Sequence, residues 1–535
     1  GTYSITAVAT DLAGNTSKPS EAFELTVDTV APEVSGSSYV FIGEDGEDAS
    51  GTSVSSAGDV DGDGKDDLLI GAYKAEGGPN EASDQGHTYL VAAADLAAAD
   101  AADGKTDGVI DLGNIAAQSG SYVLVGEDAE DWSGGSVSSA GDVDNDGRDD
   151  LLIGAVSAEG GPNEETGQGL TYLVAAANLA TADAADGKAD GIVDLGNIAA
   201  QTGSYVFFGE DGFDLSGVSV SSAGDVDGDN KDDFLIGAHN AAGGLNEAIA
   251  QGQTYLVTAA DLGLADSLGG GNGGIDLGLV AGLPNSYVFV GEDAADRSGI
   301  SVSSAGDVDG DNKDDLLIGA YGAKGGPNEA NAQGHTYLVT AADLAAADSV
   351  DGADGIIDLG NIAAQNGSYL FAGANGYDGS GYSVSSAGDV DGDGKDDLLI
   401  GALGAEKASN SQFGKGHTYL VTAADLAAAD AADADGADGI IDLGNVAAQN
   451  SSYVFVGEDA EDQSGYSVSS AGDVDGDGKA DLLIGAHAAE GGPNEAAGQG
   501  LSYLVAAADL AAADAADGKS DGIIELSNVA AQTNS

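Results

Sequence analysis

The chain of 535 residues has no cysteine, no methionine, one tryptophan and seven prolines, and it carries 15 Lys plus Arg against 92 Asp plus Glu. Without cysteine there is no disulfide, thiolate metal site or Cys nucleophile, so whatever ties the fold together is packing or an oxygen-ligated metal. The formal net charge of −77 excludes nucleic acid and anionic membrane surfaces as partners, because both require a basic footprint. No apolar run approaches the ~18 residues of a membrane span. A start at Gly1 with neither initiator nor signal peptide reads as an interior stretch of a longer chain. What is present suffices for a core: 42% of residues are apolar, and Gly plus Pro, about 18% of the chain, lies below the level of low-complexity disorder.

Internal repeats set the architecture. SYV(F/L), with one SYLF variant, places Tyr39, Tyr122, Tyr205, Tyr287, Tyr369 and Tyr453 at spacings of 83, 83, 82, 82 and 84 residues. SVSSAGDVD keeps the same register. Six copies cover about 38–118, 121–201, 204–282, 286–365, 368–449 and 452–532. Each offers four strand patterns. SYVFVGE and SVSSAGD alternate, DLLIGA is a short apolar run suited to a buried strand, and (H/Q/L)(T/S)YLV is the fourth. Repeated four-stranded units that bury their faces on two neighbours are propeller blades, with an open β-solenoid as the rival. The last copy ends where another SYVFVG is due, and the first begins with one that has no earlier blade to serve. The expectation is an all-β, six-bladed β-propeller of four-stranded antiparallel blades over 36–535, closed by pairing its N- and C-terminal repeats. Each SYVFVG is then the outer strand of the blade before it.

The chemistry lies in the loop before DLLIGA, which reads DVDGDGKDD in the first copy. Carboxylates at loop positions 1, 3, 5 and 9, with the carbonyl of position 7, can converge on one hard cation. The alternative is that Asp and Gly are simply good turn residues. The copies discriminate: position 8 is Asp five times and Ala480 once, whereas position 9 is always Asp. Positions 4 and 6 are Gly, Asn145, Asn230 or Asn312, residues that tolerate the left-handed backbone a tight loop requires. Calcium fits better than magnesium, which keeps more water and takes fewer carboxylates. The expected ligand sets of about six calcium ions are Asp59, Asp61, Asp63, Lys65 and Asp67; Asp142, Asp144, Asp146, Arg148 and Asp150; Asp225, Asp227, Asp229, Lys231 and Asp233; Asp307, Asp309, Asp311, Lys313 and Asp315; Asp389, Asp391, Asp393, Lys395 and Asp397; and Asp473, Asp475, Asp477, Lys479 and Asp481, with each Lys or Arg contributing its carbonyl. An EF-hand is excluded, since its position-12 Glu is Ile70 and the flanks are strands.

SGTSVSSAGDVDGDGKDDLLIGAY and SGYSVSSAGDVDGDGKADLLIGAH resemble the FG-GAP repeats that form the propeller blades of integrin α subunits. The resemblance spans all six copies. It implies a calcium-stabilised propeller and carries the ligand role onto the aspartates just named. Two departures stand out: Ser-Gly replaces the Phe-Gly of the family, and Tyr73, Val156, His239, Tyr321, Leu403 or His487 replaces the Pro after Gly-Ala. The family usually has seven blades, which makes seven the alternative count. Residues 1–35, with TYSITAVATD and EAFELTVDTV around a turn and APEV as linker, resemble the terminal hairpin of a bacterial immunoglobulin-like repeat from a large surface adhesin.

An acidic excursion follows each fourth segment, as in DAADGKTDGVIDL, where Asp103, Asp107 and Asp111 are a lesser candidate for a further calcium and a solvated surface segment is the better reading. Calcium loops and excursions should share one face. The GEDAEDWSG and AEGGPNEAxGQG loops should share the other, the candidate recognition face. There Trp132, and in the fifth copy Tyr377, Lys407, Phe413 and Lys415, interrupt the acidic pattern and are candidate ligand contacts. No histidine is required by the repeat, since the position of His87, His335 and His417 is Leu or Gln elsewhere, which argues against catalysis. The expected function is a calcium-binding module of a secreted or cell-surface adhesin, contacting an extracellular protein or a glycan as a monomeric propeller within a longer chain. A spacer domain is the second reading and a polysaccharide-active enzyme the third.

Overall fold

The computed structural model describes residues 2–5, 23–26 and 38–535, apart from 78–82, 161–165, 243–249, 326–331, 351, 407–413, 433–435, 491–499 and 533. In the N-terminal segment Thr2–Ile5 pairs antiparallel with Phe23–Thr26. The remainder of the expected hairpin and linker lies outside the described residues.

From Val40 onward the chain is all-β with short helical turns. One blade shows the plan. Its inner strand is Ser133–Gly141, followed outward by Asp150–Ala155, Leu170–Val174 and Tyr205–Phe208, all antiparallel. Tyr205–Phe208 belongs to the next copy, and the SYVF segments of copies two to six each join the sheet before them. The expectation of four strands per blade is corrected to five. Gly274–Asp276, from the excursion, pairs parallel on the outside of Tyr205–Phe208. A three-residue run inside an Ala/Asp-rich segment is too short for period-2 alternation to register, and a parallel partner some 70 residues back leaves no hairpin signal. Five sheets follow this plan, while Ser464–Gly472, Asp481–Ala486 and Leu501–Val505 form a three-stranded sheet and Val40–Ile42 with Val109–Asp111 a two-stranded one.

The core lies between blades. Leu151 and Ile153 pack toward Leu69, Leu90 and Leu124 of the preceding blade, whereas Leu152 packs toward Phe234, Ile236 and Tyr255 of the following one. Burial on both faces is why DLLIGA is continuously apolar. The third strand supplies the largest wedges, with Tyr89, Tyr172, Tyr255 and Tyr337 fully buried. At the axis each inner strand is tied to the next by a serine: Val137 N donates to Ser53 Oγ (3.0 Å), Val220 N to Ser136 Oγ (3.1 Å), Val302 N to Ser219 Oγ (3.1 Å), Val384 N to Ser301 Oγ (3.1 Å) and Val468 N to Ser383 Oγ (3.0 Å). Residues of the inner strands of all six copies line a cavity of about 960 Å³.

Candidate metal centres

Each aspartate loop leaves the inner strand at a glycine in the left-handed region, such as Gly58 (φ +71), and curls back into the second strand. Left-handed residues recur inside it at Gly62 (φ +78), Gly64 (φ +86), Asn145 (φ +62), Asn230 (φ +64) and Asn312 (φ +65). These are positions 4 and 6, so the Gly/Asn preference there is a backbone requirement. The curl sets the carboxylates of positions 1, 3 and 5 together. One oxygen from each of Asp59, Asp61 and Asp63 lies within 4.8 Å of the others, and the same holds for Asp142, Asp144 and Asp146; Asp225, Asp227 and Asp229; and Asp307, Asp309 and Asp311. In the fifth copy the triad within that distance is Asp389, Asp391 and Asp397, which brings in position 9.

Backbone amides shape the loop from within. Asp225 Oδ1 accepts from Gly228 N (2.8 Å) and Asp229 N (2.9 Å), its Oδ2 accepts from Asn230 N (2.9 Å), and Asp229 Oδ1 accepts from Lys231 N (3.0 Å). Position 9 has a different setting. Asp233 is fully buried, takes Val226 N at 3.1 Å on Oδ2, and takes Ala259 N, at the start of the excursion, at 2.9 Å on Oδ1. The same bond recurs with the amides of Ala93, Ala176, Ala341, Ala423 and Ala507 donating to Oδ1 of Asp67, Asp150, Asp315, Asp397 and Asp481. Burial pushes Asp233 up to about 8 and Asp150, Asp315 and Asp397 up to about 7, with the neighbouring aspartates adding to the rise. Clustered oxygens, a tight left-handed wrap and a desolvated carboxylate form a donor set suited to a hard divalent cation, whose charge offsets what the acids cost each other. In the lesser candidate, Asp103 instead pairs with Lys105 (2.6 Å) and Asp111 caps the following turn by accepting from Gly113 N (3.0 Å).

The loops are also joined across blades, which the repeat pattern did not suggest. The position-8 aspartates of the second to fifth loops accept from the position-1 amide of the loop before: Asp149 from Asp59 N (2.7 Å), Asp232 from Asp142 N (2.8 Å), Asp314 from Asp225 N (2.9 Å) and Asp396 from Asp307 N (3.0 Å). A Cβ at Gly58, Gly141, Gly224 or Gly306 would collide with that carboxylate, which is a second reason for glycine there. Position 7 reaches back as well. Lys313 Nζ donates to the carbonyls of Val226 (3.1 Å) and Asp227 (2.8 Å), and Lys395 and Lys479 repeat the contact one and two blades on. The one signal in the sequence was Ala480, the single copy without a position-8 acid.

On the opposite face the GED loop of one copy meets the GGPNE-type loop of the copy before, with Glu130 N donating to Ser83 O (2.9 Å). Trp132 is 39% exposed and meets Tyr73 edge to face at 6.0 Å. Tyr377 is exposed and sits at the boundary of blades 4 and 5, where Gly379 N bonds Ala332 O. Lys415 sits at the next boundary, its carbonyl taking Ser464 N and its ammonium 3.8 Å from Glu525. The fifth-copy candidates are therefore divided between two boundaries, and Lys407 and Phe413 lie outside the described residues. Sequence reasoning missed an aromatic ladder on this side: Tyr321, Tyr382, Tyr466 and His487 follow one another at ring separations of 5.6, 5.2 and 4.3 Å. His335 serves packing: it is buried with Nδ1 at 3.4 Å from Tyr337 Oη, and burial lowers it to about 4.

Among the described residues no helix is long and apolar enough to cross a membrane. No curated protein matches the chain. The FG-GAP repeat family model matches residues 50–91, 133–174, 298–339, 380–417 and 464–505, stretches that run from the inner strand through the aspartate loop to the third strand. Over five of its copies the chain is thus similar to the FG-GAP repeat, with the candidate metal loop inside every match.

Proposed function

We propose that the chain is a calcium-binding, non-enzymatic propeller module of a secreted or cell-surface adhesin that contacts an extracellular protein or a glycan. The observation that carries this reading is the repeated convergence of three aspartates in a left-handed loop, placed where adjacent blades are stitched together. A calcium ion there neutralises the triad and locks the loop. Asp225, Asp227, Asp229 and Asp233 would hold it, with the Lys231 carbonyl, and Asp233 also braces the loop on the excursion. Clustered acids repel one another without the ion, so the metal acts first on stability. The opposite face, with Trp132 on Tyr73 and the ladder from Tyr321 to His487, offers the aromatic surface that recognition sites favour.

The ring closes on itself in this reading. Leu501–Val505 ends a three-stranded sheet, and Val40–Ile42 begins a two-stranded one; together they make up the five strands of every other blade. The end faces match as well. Val54 is 67% and Val474 56% exposed where their counterparts Val137 and Val390 are 5% and 2%. The space over Gly472 is open where the other inner-strand glycines are covered, and Asp66 is the position-8 acid with no blade before it.

The test is thermal melting by circular dichroism in EDTA and in millimolar calcium. Chelation is expected to lower Tm by many degrees, with calcium restoring it, and an unchanged melt refutes the metal reading. A glycan and matrix-protein array with calcium present tests the contact, and a blank array favours a spacer.

A further inference from the structure

We propose that loop positions 7 and 8 are positioning residues that couple neighbouring cation sites, so that divalent ions fill the ring cooperatively; this rests on the calcium reading above. One stretch of three residues serves two sites. In the fourth loop the Lys313 carbonyl and the Asp315 carboxylate belong to that loop's own donor set. The side chains between and beside them grip the third loop: Lys313 Nζ holds the carbonyls of Val226 and Asp227 at 3.1 and 2.8 Å, and Asp314 Oδ2 holds Asp225 N at 2.9 Å. Asp314 N returns a bond to Asp225 O at 3.4 Å. Asp225 and Asp227 are themselves triad members. Ordering the third loop around an ion thus fixes the acceptors and donor that seat residues 313–315, and the next ion finds part of its site already ordered. Lost conformational freedom shared between two sites gives positive coupling without any change of shape. The same pattern joins the fourth loop to the fifth through Lys395 and Asp396, at 3.1 and 2.6 Å from the Val308 and Asp309 carbonyls and 3.0 Å from Asp307 N.

The chain contains its own interruption. At the boundary of blades 5 and 6 the position-8 residue is Ala480, which keeps the backbone bond to Asp389 O (3.0 Å) but has no carboxylate for Asp389 N. Gly388 retains the left-handed conformation (φ +72), and only the Ala480 methyl and the Ser470 hydroxyl lie near it, so the cradle for an aspartate is intact. Alanine at this position is compatible with the blade, which makes it a safe substitution elsewhere.

The experiment is calcium titration of the metal-free chain by calorimetry, at a temperature where circular dichroism in EDTA shows it folded. Three proteins are compared: the natural chain, the quadruple variant Asp149→Ala, Asp232→Ala, Asp314→Ala, Asp396→Ala, and the single variant Ala480→Asp. The natural chain is expected to give a Hill coefficient above 1, with a neighbour's affinity raised about 5-fold or more by the first ion. The quadruple variant should bind the same number of ions with a lower coefficient, because the lysine grips remain, and Ala480→Asp should steepen the isotherm. Equal steepness in all three, with calcium bound, overturns the coupling. An absence of calcium heat in all three overturns the metal reading instead, and the two failures are distinct. Should the quadruple variant fail to fold, Ala480→Asp alone decides: an unchanged slope refutes the proposal.

Discussion

Asp233→Asn separates a metal ligand from a structural acceptor, because the two roles predict opposite signs in chelator and in calcium. Asp233 is fully buried and stands at about 8 where an ordinary Asp is 3.8, with burial the main cause. Each pKa unit is worth about 1.4 kcal/mol, so at pH 7 holding this carboxyl in the metal-free fold costs about 4 kcal/mol relative to the unfolded chain. Asparagine removes that cost. It keeps an oxygen for Ala259 N and turns its amide toward Val226 N, giving up the 3.1 Å bond, a loss of about 1–3 kcal/mol. The variant is therefore expected to be more stable than the natural chain in EDTA, by about 1–3 kcal/mol. In millimolar calcium the order reverses, since one negative oxygen has left the site. Urea unfolding followed by circular dichroism at pH 7, with and without calcium, reads both arms. If Asp233→Asn is destabilising by the same amount in both conditions, position 9 is an acceptor only and the ligand assignment fails there.

Three further outcomes are expected. Burial raises Asp131 and Asp296 to about 7 and Asp378 to about 6, so their contribution to stability is full below the ordinary 3.8 and is lost as pH rises through these values. The buried His335 and His417, lowered to about 4, cost stability only as pH falls below 6.5, so in EDTA the urea midpoint should drop between pH 6.5 and 8, and a rise refutes the burial argument. If the ring closes, Leu483→Asp, now 41% exposed, should cost about 2–4 kcal/mol, as should Leu399→Asp inside a formed interface, whereas an open end tolerates it within about 0.5 kcal/mol; a tolerated Leu483→Asp beside a costly Leu399→Asp in urea melts overturns closure. Trp132 is the sole tryptophan, so its emission should shift when an array hit is titrated in, and Trp132→Ala should abolish that binding while changing stability by less than about 1 kcal/mol; a hit that leaves emission unchanged and binds the variant equally well places recognition elsewhere.

Much of the blade was legible because its strands have periods that survive in one copy and repeat in six. SVSSAG mixes serine with small apolar residues because Val137 and Ala140 pack on opposite neighbours while Ser136 Oγ accepts from the next inner strand, and DLLIGA is apolar throughout because both of its sides are buried. The loop was legible for a related reason: six internal variants showed which positions tolerate change, and Asn145, Asn230 and Asn312 marked the left-handed backbone before any angle was known. Position 8 received no role from the sequence, where Ala480 showed only that it varies. Its work is done on the loop of another blade, and a residue whose partner lies about 90 positions away leaves no local pattern. The fifth strand, Gly274–Asp276 in one blade, was hidden for the same reason, and so was the ladder from Tyr321 to His487, whose rings come from three blades.

The sequence by itself determined the strand alternation and the chemistry of the loop, which depend on residues within about ten positions of each other, and the repeat and the net charge, which are written along the whole chain. Only the tertiary structure decided which blade each strand completes, that position 9 braces the excursion while positions 1, 3 and 5 converge, and that Lys313 and Asp314 hold a neighbouring loop. Those are contacts between segments a whole repeat apart, and their geometry is fixed by the packing of one blade on the next.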